Sequence, residues 1–261
     1  MMLLLSIMLI CFQSVFAQDN LQTIKEIRDR GQLRVAALNA PVYPFTFLKS
    51  GEWAGFDVQL ASKIAKGMGV KLIWDASYRS ESELVAALKE DKADIAMSRI
   101  KRDLGTARQV AYTKPYVTVK YVLLTNRMRV IAFHPKDETM KSLSQLSMNI
   151  GTIDHAGYIS MATRRFPAAK ITMYPNVSSL IKALQEGKVD AAFCDEVEAR
   201  FVFIEHPEYG VIFGYFSLPE LKSGVVAMVD WPKKHWVAWL NILLEPTANS
   251  INVDTLFSTI Y

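Results

Sequence analysis

The chain has 261 residues, 51% of them hydrophobic, enough to build a core in one large domain or in each of two lobes. Its net charge of +4 comes from Lys and Arg scattered along the sequence rather than gathered in a stripe, which argues against a nucleic-acid partner. Two cysteines and four histidines (His134, His155, His206, His235) show no ligand spacing, so neither a metal site nor a cofactor is expected.

Residues 1–17 stand apart from the rest. They carry no charged side chain and hold an apolar run from Met2 to Cys11. Val15-Phe16-Ala17 then places small residues at the −3 and −1 positions of a cleavage site. This pattern predicts a secretory signal peptide cut after Ala17 and a soluble, periplasmic mature protein. An uncleaved anchor is the alternative, although the run is short for a membrane span. Bulky Ile10 makes Met8-Leu9-Ile10-Cys11 a poor lipoprotein box. After cleavage only Cys194 is left, which excludes an internal disulfide and reads as a small apolar strand residue.

The mature chain should open with a helix from Leu21 to Arg30 closed by Gly31, then a strand from Leu33 to Ala37 and a loop from Asn39 to Phe45. Lys49-Ser-Gly-Glu52 has the composition of a hairpin turn. Asp57 is placed to cap a helix whose apolar Leu60, Ile64 and Met68 recur at helical spacing, with Gly69 as its stop. A strand from Lys71 to Trp74 follows. Ser80-Glu-Ser-Glu83 then forms a capping box for the next helix. Asp103 can cap a further short helix, and the apolar strand from Val117 to Thr125 comes next. Beyond Arg127 the pattern predicts a strand from Met148 to Ile150, a turn at Gly151-Thr152, a helix, and a strand from Lys170 to Met173. A return strand covers Gly224 to Val229. Asp230 then caps a last helix with Pro232 in its first turn and Trp236, Leu240 and Leu243 on one apolar face.

Within this order one stretch occurs twice, 96 residues apart: Leu84-Val-Ala-Ala-Leu-Lys-Glu-Asp-Lys-Ala-Asp-Ile-Ala-Met-Ser98 and Leu180-Ile-Lys-Ala-Leu-Gln-Glu-Gly-Lys-Val-Asp-Ala-Ala-Phe-Cys194. Each copy reads as the end of an amphipathic helix, a tight turn and a short apolar strand. The spacing is too long for a solenoid, so it predicts two similar α/β lobes. Lobe I would comprise residues 18–118 and 224–261, lobe II residues 119–223, with two hinge crossings. Ligands of such sheets sit outside the carboxyl ends of the strands, here Ser98-Arg99 and Cys194-Asp195, so a cleft between the lobes is expected.

Several motifs in their order and spacing resemble the bacterial solute-binding proteins of amino-acid ABC importers. They are Gly31-Gln-Leu-Arg-Val35, Tyr43-Pro-Phe45, Gly55-Phe-Asp57, Lys92-Ala-Asp94, Pro115-Tyr116, Gly151-Thr152, Gly187-Lys-Val-Asp190 and Asp195. The resemblance implies a two-lobed type II periplasmic-binding fold that closes on a small polar solute, works as a monomer, and delivers to a transporter permease or a sensor. Among its ligand-contacting positions it implies Asn39, Tyr43, Ser98, Thr152 and Asp195, the last as acceptor for a ligand ammonium. Phe45 reads as core. Asp195 is also placed as a helix cap, and Gly151-Thr152 as a helix start whose free N–H groups suit an anion.

The likeness breaks at the carboxylate clamp. The family's Thr and Arg slots, counted back from Pro115, hold Asp103 and Thr106. Arg99, Lys101 and Arg102 crowd the same loop, so Arg99 and Arg102 are the candidate replacements; a solvated basic loop face is the alternative. Glu81 lies where an aromatic platform is common, either as a first-turn helix acid or facing a cationic ligand group.

A second resemblance covers Asn176 to Glu208, and includes Asp195-Glu-Val-Glu-Ala-Arg200 and His206-Pro-Glu208. It is to the periplasmic cyclohexadienyl dehydratases, lyases built on the same fold, and it implies Glu198 as the general acid acting on prephenate or arogenate. Asp195 and Glu198 are equally spaced as a capping box, which needs no catalysis. The primary expectation is therefore a solute-binding protein rather than an enzyme. The lyase is the alternative, and a purely sensory receptor domain a second one.

Overall fold

The computed structural model describes residues 23–127, 147–154 and 156–258. The expected signal peptide, His134 and His155 lie outside the described residues. The chain divides into two compact units, Met1–Thr118 with Gly224–Tyr261, and Val119–Ser223.

The first unit opens with α1 (residues 23–30), whose end is closed by Gly31 donating its N–H to Arg28 O. Its sheet has the order β4 (Lys71–Tyr78), β1 (Gln32–Leu38), β5 (Ile95–Lys101), then the second half of β11 (Phe213–Asp230), with β6 (Val110–Tyr112) also beside β11. β1 is parallel to β4 and β5, while β11 runs antiparallel to β5 and β6. β4 is longer than its apolar residues predicted. Its alternating half-buried and exposed residues mark an edge strand, so Asp75 and Ser77 extend the ladder from its wet face. Helices α2 (Phe56–Met68) and α3 (Glu81–Lys89) bury Leu60, Ile64, Leu84 and Leu88. The hairpin β2 (Phe47–Lys49) and β3 (Glu52–Ala54) turns through Ser50 and Gly51, both at positive φ.

Two expectations for this unit need correction. Asp57 does not cap α2. Gly55, at φ 116°, is the N-cap, and Asp57 sits in the first turn with its carboxylate buried. Only glycine fits there, because a Cβ would lie 2.4 Å from the carbonyl oxygen of Phe45. Asp230 caps a 3-10 turn (Trp231–Lys233) by accepting from Trp231 N, and the long helix α8 (Trp236–Ser250) starts later. Its buried face is Trp236, Leu240 and Leu244 rather than Leu243. Helix α9 (Val253–Ser258) follows in the same unit.

The second unit has the order β11 (first half), β7 (Val117–Asn126), β10 (Ala191–Asp195), β8 (Asn149–Ile153), β9 (Lys170–Tyr174). β7 is antiparallel to β10, while β10, β8 and β9 are parallel. Helices α4 (Ala156–Arg165), α5 (Val177–Gln185) and α6 (Glu196–Glu205), with the short α7 (Tyr209–Ile212), complete it. All of β10 is buried. Gly151 and Thr152 do not form a turn; they lie inside β8, and α4 begins at Ala156. Leu180 of α5 explains the glycine, since a Cβ on Gly151 would come within 2.5 Å of its Cδ1. β7 and β11 each carry chain across the boundary between the units.

The repeat has one physical meaning in both units. Asp91 and Gly187 occupy the same place after the helix, with φ of 53° and 70°. Lys92 N and Lys188 N then return to Ala87 O and Ala183 O, each at 2.9 Å. Asp94 Oδ2 accepts from Arg34 N at 2.8 Å, and Asp190 Oδ2 accepts from Asn149 N at 2.8 Å. Each Lys-x-Asp thus ties a turn to the first residues of the neighbouring parallel strand.

Candidate functional site

In the first unit the candidates collect at the ends of β1 and β5. Ser98 is buried, and its Oγ accepts from Leu38 N at 3.2 Å, next to exposed Asn39. β5 does not stop at Ser98-Arg99, as the sequence suggested. It continues to Lys101 through an irregularity in which Val226 pairs with Ile100 but Met228 pairs with Ala96. Met97, Ser98 and Arg99 therefore bulge against Ala227 alone, and Arg99 has a φ of 50°. Its N–H donates to Asp57 Oδ2 at 2.7 Å, and its guanidinium lies 5.7 Å from the centre of the buried Phe45 ring. Tyr43 is half-buried, its ring packed 5.0 Å from Phe47 and 5.7 Å from Phe257.

The basic loop next to it is less available for a ligand than its composition suggests. Arg102 donates through Nη2 to Thr113 O at 2.7 Å. The two displaced clamp positions bond to one another, Thr106 N donating to Asp103 Oδ2 at 2.8 Å and Thr106 Oγ1 to the same oxygen at 3.2 Å. Where a clamp would be positive, this corner is acidic. Burial and then the charge of Asp103 push the half-buried Glu81 carboxyl above its usual value. Tyr112 shares the corner, its hydroxyl accepting from Asp103 N at 3.4 Å and its pKa raised by burial.

In the second unit, Thr152 is fully buried and its hydroxyl donates to Phe193 O at 3.1 Å, inside the sheet. The helix-start role assigned to Gly151-Thr152 is accordingly incorrect, since the strand runs through both. Asp195 ends β10 fully buried and caps α6. Its Oδ1 accepts from Val197 N and Glu198 N, each at 3.1 Å, and the Glu198 side chain reaches back to Asp195 N. The sequence reading missed Tyr158. From α4, its hydroxyl lies 2.8 Å from Asp195 Oδ2 and 2.9 Å from Glu198 Oε2. Its ring stands edge-on to Tyr121 and Phe193, which stack on each other at 5.0 Å. A tyrosine 37 residues from its acid has no local signal. A surface cavity of about 470 Å³ in this unit, walled by Ile181, Phe201, Val202 and Tyr209, includes none of the candidates.

The sequence model of the bacterial extracellular solute-binding proteins, family 3, matches residues 33–166, just over half of the chain. The chain belongs to this family. Cyclohexadienyl dehydratase of Pseudomonas aeruginosa is 27% identical to this family member over 236 residues, 90% of the chain and 85% of the relative. The lysine/arginine/ornithine-binding periplasmic protein of Escherichia coli is 26% identical over 159 residues, 60% of the chain and 58% of the relative. Among solved structures, an ancestral cationic amino acid solute-binding protein superposes with a TM-score of 0.69 at 22% identity, covering 92% of this solute-binding chain and 99% of its own. That likeness supports the type II two-lobed α/β fold. Among the described residues no helix is long and apolar enough to cross a membrane, and no group of His, Cys, Asp and Glu could hold a metal ion.

Proposed function

We propose that this protein captures a small polar solute, an amino acid or a related organic acid or amine, and presents it to a membrane transporter. The family match carries this reading. The acidic corner of the first unit narrows it: Asp103 occupies one of the two carboxylate-clamp slots, and Glu81, where an aromatic platform is common, feels its charge, which favours a solute with a cationic group. Two relatives point the same way, one named for lysine, arginine and ornithine and one for cationic amino acids. β7 and β11 would be the hinge, and closure on the solute the signal read by a permease or a sensor. Export with cleavage after Ala17, and action as a monomer, complete the reading; N-terminal sequencing and size-exclusion chromatography check them.

The test is a thermal-shift screen of lysine, arginine, ornithine, histidine, neutral amino acids, polyamines and organic acids. A ligand at a hundredfold excess over its dissociation constant adds about 2.7 kcal/mol. Stabilisation by cationic amino acids is the expected result, and no response from any class would overturn the reading.

A lyase of the cyclohexadienyl dehydratase type is the second reading, favoured by the 27% identity to such an enzyme along 90% of the chain. Glu198 would then be the general acid, held by Tyr158. Its carboxylate is already engaged as the capping box of α6, which accounts for the residue without catalysis. Incubation with prephenate and arogenate, followed by detection of phenylpyruvate or phenylalanine, separates the two.

A further inference from the structure

Asp57 is fully buried, and it is not the cap of its helix, whose N-cap is Gly55. Its two oxygens serve two distant segments. Oδ2 accepts the N–H of Arg99, in the bulge of β5, and Oδ1 accepts the hydroxyl of Tyr116, the residue just before crossing strand β7. The rings close the circle: Phe56 packs 6.3 Å from Tyr116 and 6.4 Å from Phe45, and the Arg99 guanidinium lies over Phe45. Arg99 has positive φ, a conformation that residues with a β-carbon avoid unless their surroundings impose it. A 2.7 Å bond to a buried carboxylate is one such restraint.

We propose that Asp57 is a positioning residue: its carboxylate holds the Ser98–Arg99 turn in its ligand-ready conformation and ties that turn to the foot of crossing strand β7 at Tyr116. The inference rests on the reading that Ser98 and Arg99 face the solute, and it adds a control point outside the contact residues. Loosening the carboxylate frees the turn that presents both residues. The groups that bear on the Asp57 charge are the Arg99 guanidinium, from β5, and the titratable Tyr116 phenol, whose own pKa is raised so far by burial that it stays neutral near pH 7. Burial pushes the Asp57 carboxyl up to about 6, against the opposing pull of the Arg99 N–H, the Tyr116 hydroxyl and the Arg99 charge. Proton uptake near that pH weakens a charge-assisted bond into a neutral one.

Two measurements decide the matter, one of them independent of any ligand. In the isotope-labelled full chain, the Arg99 amide proton should titrate with a midpoint near pH 6. In Asp57→Asn it should not titrate, and in Tyr116→Phe the midpoint should move higher, because the hydroxyl that favours the anion is gone. In parallel, L-arginine affinity is measured by calorimetry at pH 5 and pH 7.5. Wild type should bind about tenfold more weakly at the lower pH, from the difference between charged and neutral hydrogen bonds, and Asp57→Asn about equally at both. An Arg99 amide that does not titrate between pH 5 and 7.5 overturns the inference whatever binds. A titrating amide with pH-independent affinity reduces Asp57 to a core acid and overturns it equally. Failure of every amino acid to bind, with the amide behaving as expected, would instead count against the solute-binding reading while leaving the Asp57–Arg99 restraint standing.

Discussion

Replacing Tyr158 with Phe is the sharpest probe of the second unit, because it removes one oxygen and keeps the ring. The ring is buried against Tyr121 and Phe193, so its packing survives. What is lost is the hydroxyl at 2.8 Å from Asp195 and 2.9 Å from Glu198. Asp195 is fully buried, and a hydrogen bond to a charged group in such a place is worth about 1.5–3 kcal/mol. The phenol has one proton, so the two contacts share it and their values do not add. Tyr158→Phe should therefore cost about 2 kcal/mol by equilibrium urea unfolding. Glu198→Gln keeps an acceptor for Asp195 N and should stay within about 0.5 kcal/mol of wild type, whereas Glu198→Ala loses the reciprocal half of the capping box and should cost about 1 kcal/mol. A Tyr158→Phe variant as stable as wild type would refute the reasoning, since it would mean that the buried acid finds its donors elsewhere. The same Glu198→Gln variant sorts the functions: solute-induced stabilisation should persist, while any prephenate turnover should vanish.

The first unit offers three further tests. Asp57 holds a proton more tightly in the folded chain, at about 6, than at its ordinary value of 3.8, so its contribution to stability is complete below about pH 4 and is lost as pH rises through 6. At about 1.4 kcal/mol per pH unit this amounts to about 3 kcal/mol, so the stability of Asp57→Asn relative to wild type should rise by that order between pH 4 and pH 7 in urea titrations; a constant difference would contradict the assignment. Gly55→Ala should destabilise by about 2–4 kcal/mol, measured the same way, because its Cβ meets the Phe45 carbonyl at a φ of 116°. Glu81→Gln should weaken binding of lysine or arginine about tenfold, the order expected for losing one charged partner, and leave neutral amino acids unaffected in calorimetry.

What the sequence revealed depended on whether a residue's partners are local or are repeated. The two copies around Lys92-x-Asp94 and Lys188-x-Asp190 were legible because each performs the same backbone task in a parallel β-α-β arrangement, so selection of residue type is periodic along the chain. The N-cap at Ser80 and the capping box at Asp195 were legible because their donors lie within three residues. At Ser80 the expected box does not close, because Glu83 reaches Arg79 N rather than Ser80 N. Asp57 shows the limit of that method. An acid at the start of an apolar helical pattern looks like a cap, but Gly55 caps the helix two residues earlier and the acid turns inward, toward partners 42 and 59 residues away.

Gly151-Thr152 failed for a related reason. A glycine followed by a hydroxyl residue suggests a turn, yet here the missing side chain makes room for Leu180, and the hydroxyl satisfies a carbonyl of the adjacent strand. Tyr158 was missed because nothing about a tyrosine in a polar helix indicates which acid it will meet. In each unit, then, the contact residues proposed from strand ends are backed by a buried group contributed from elsewhere in the chain: Asp57 behind Arg99, Tyr158 behind Asp195. Local pattern identifies the residues at such strand ends. The buried partner that fixes their geometry is chosen by tertiary packing, and only the folded chain discloses it.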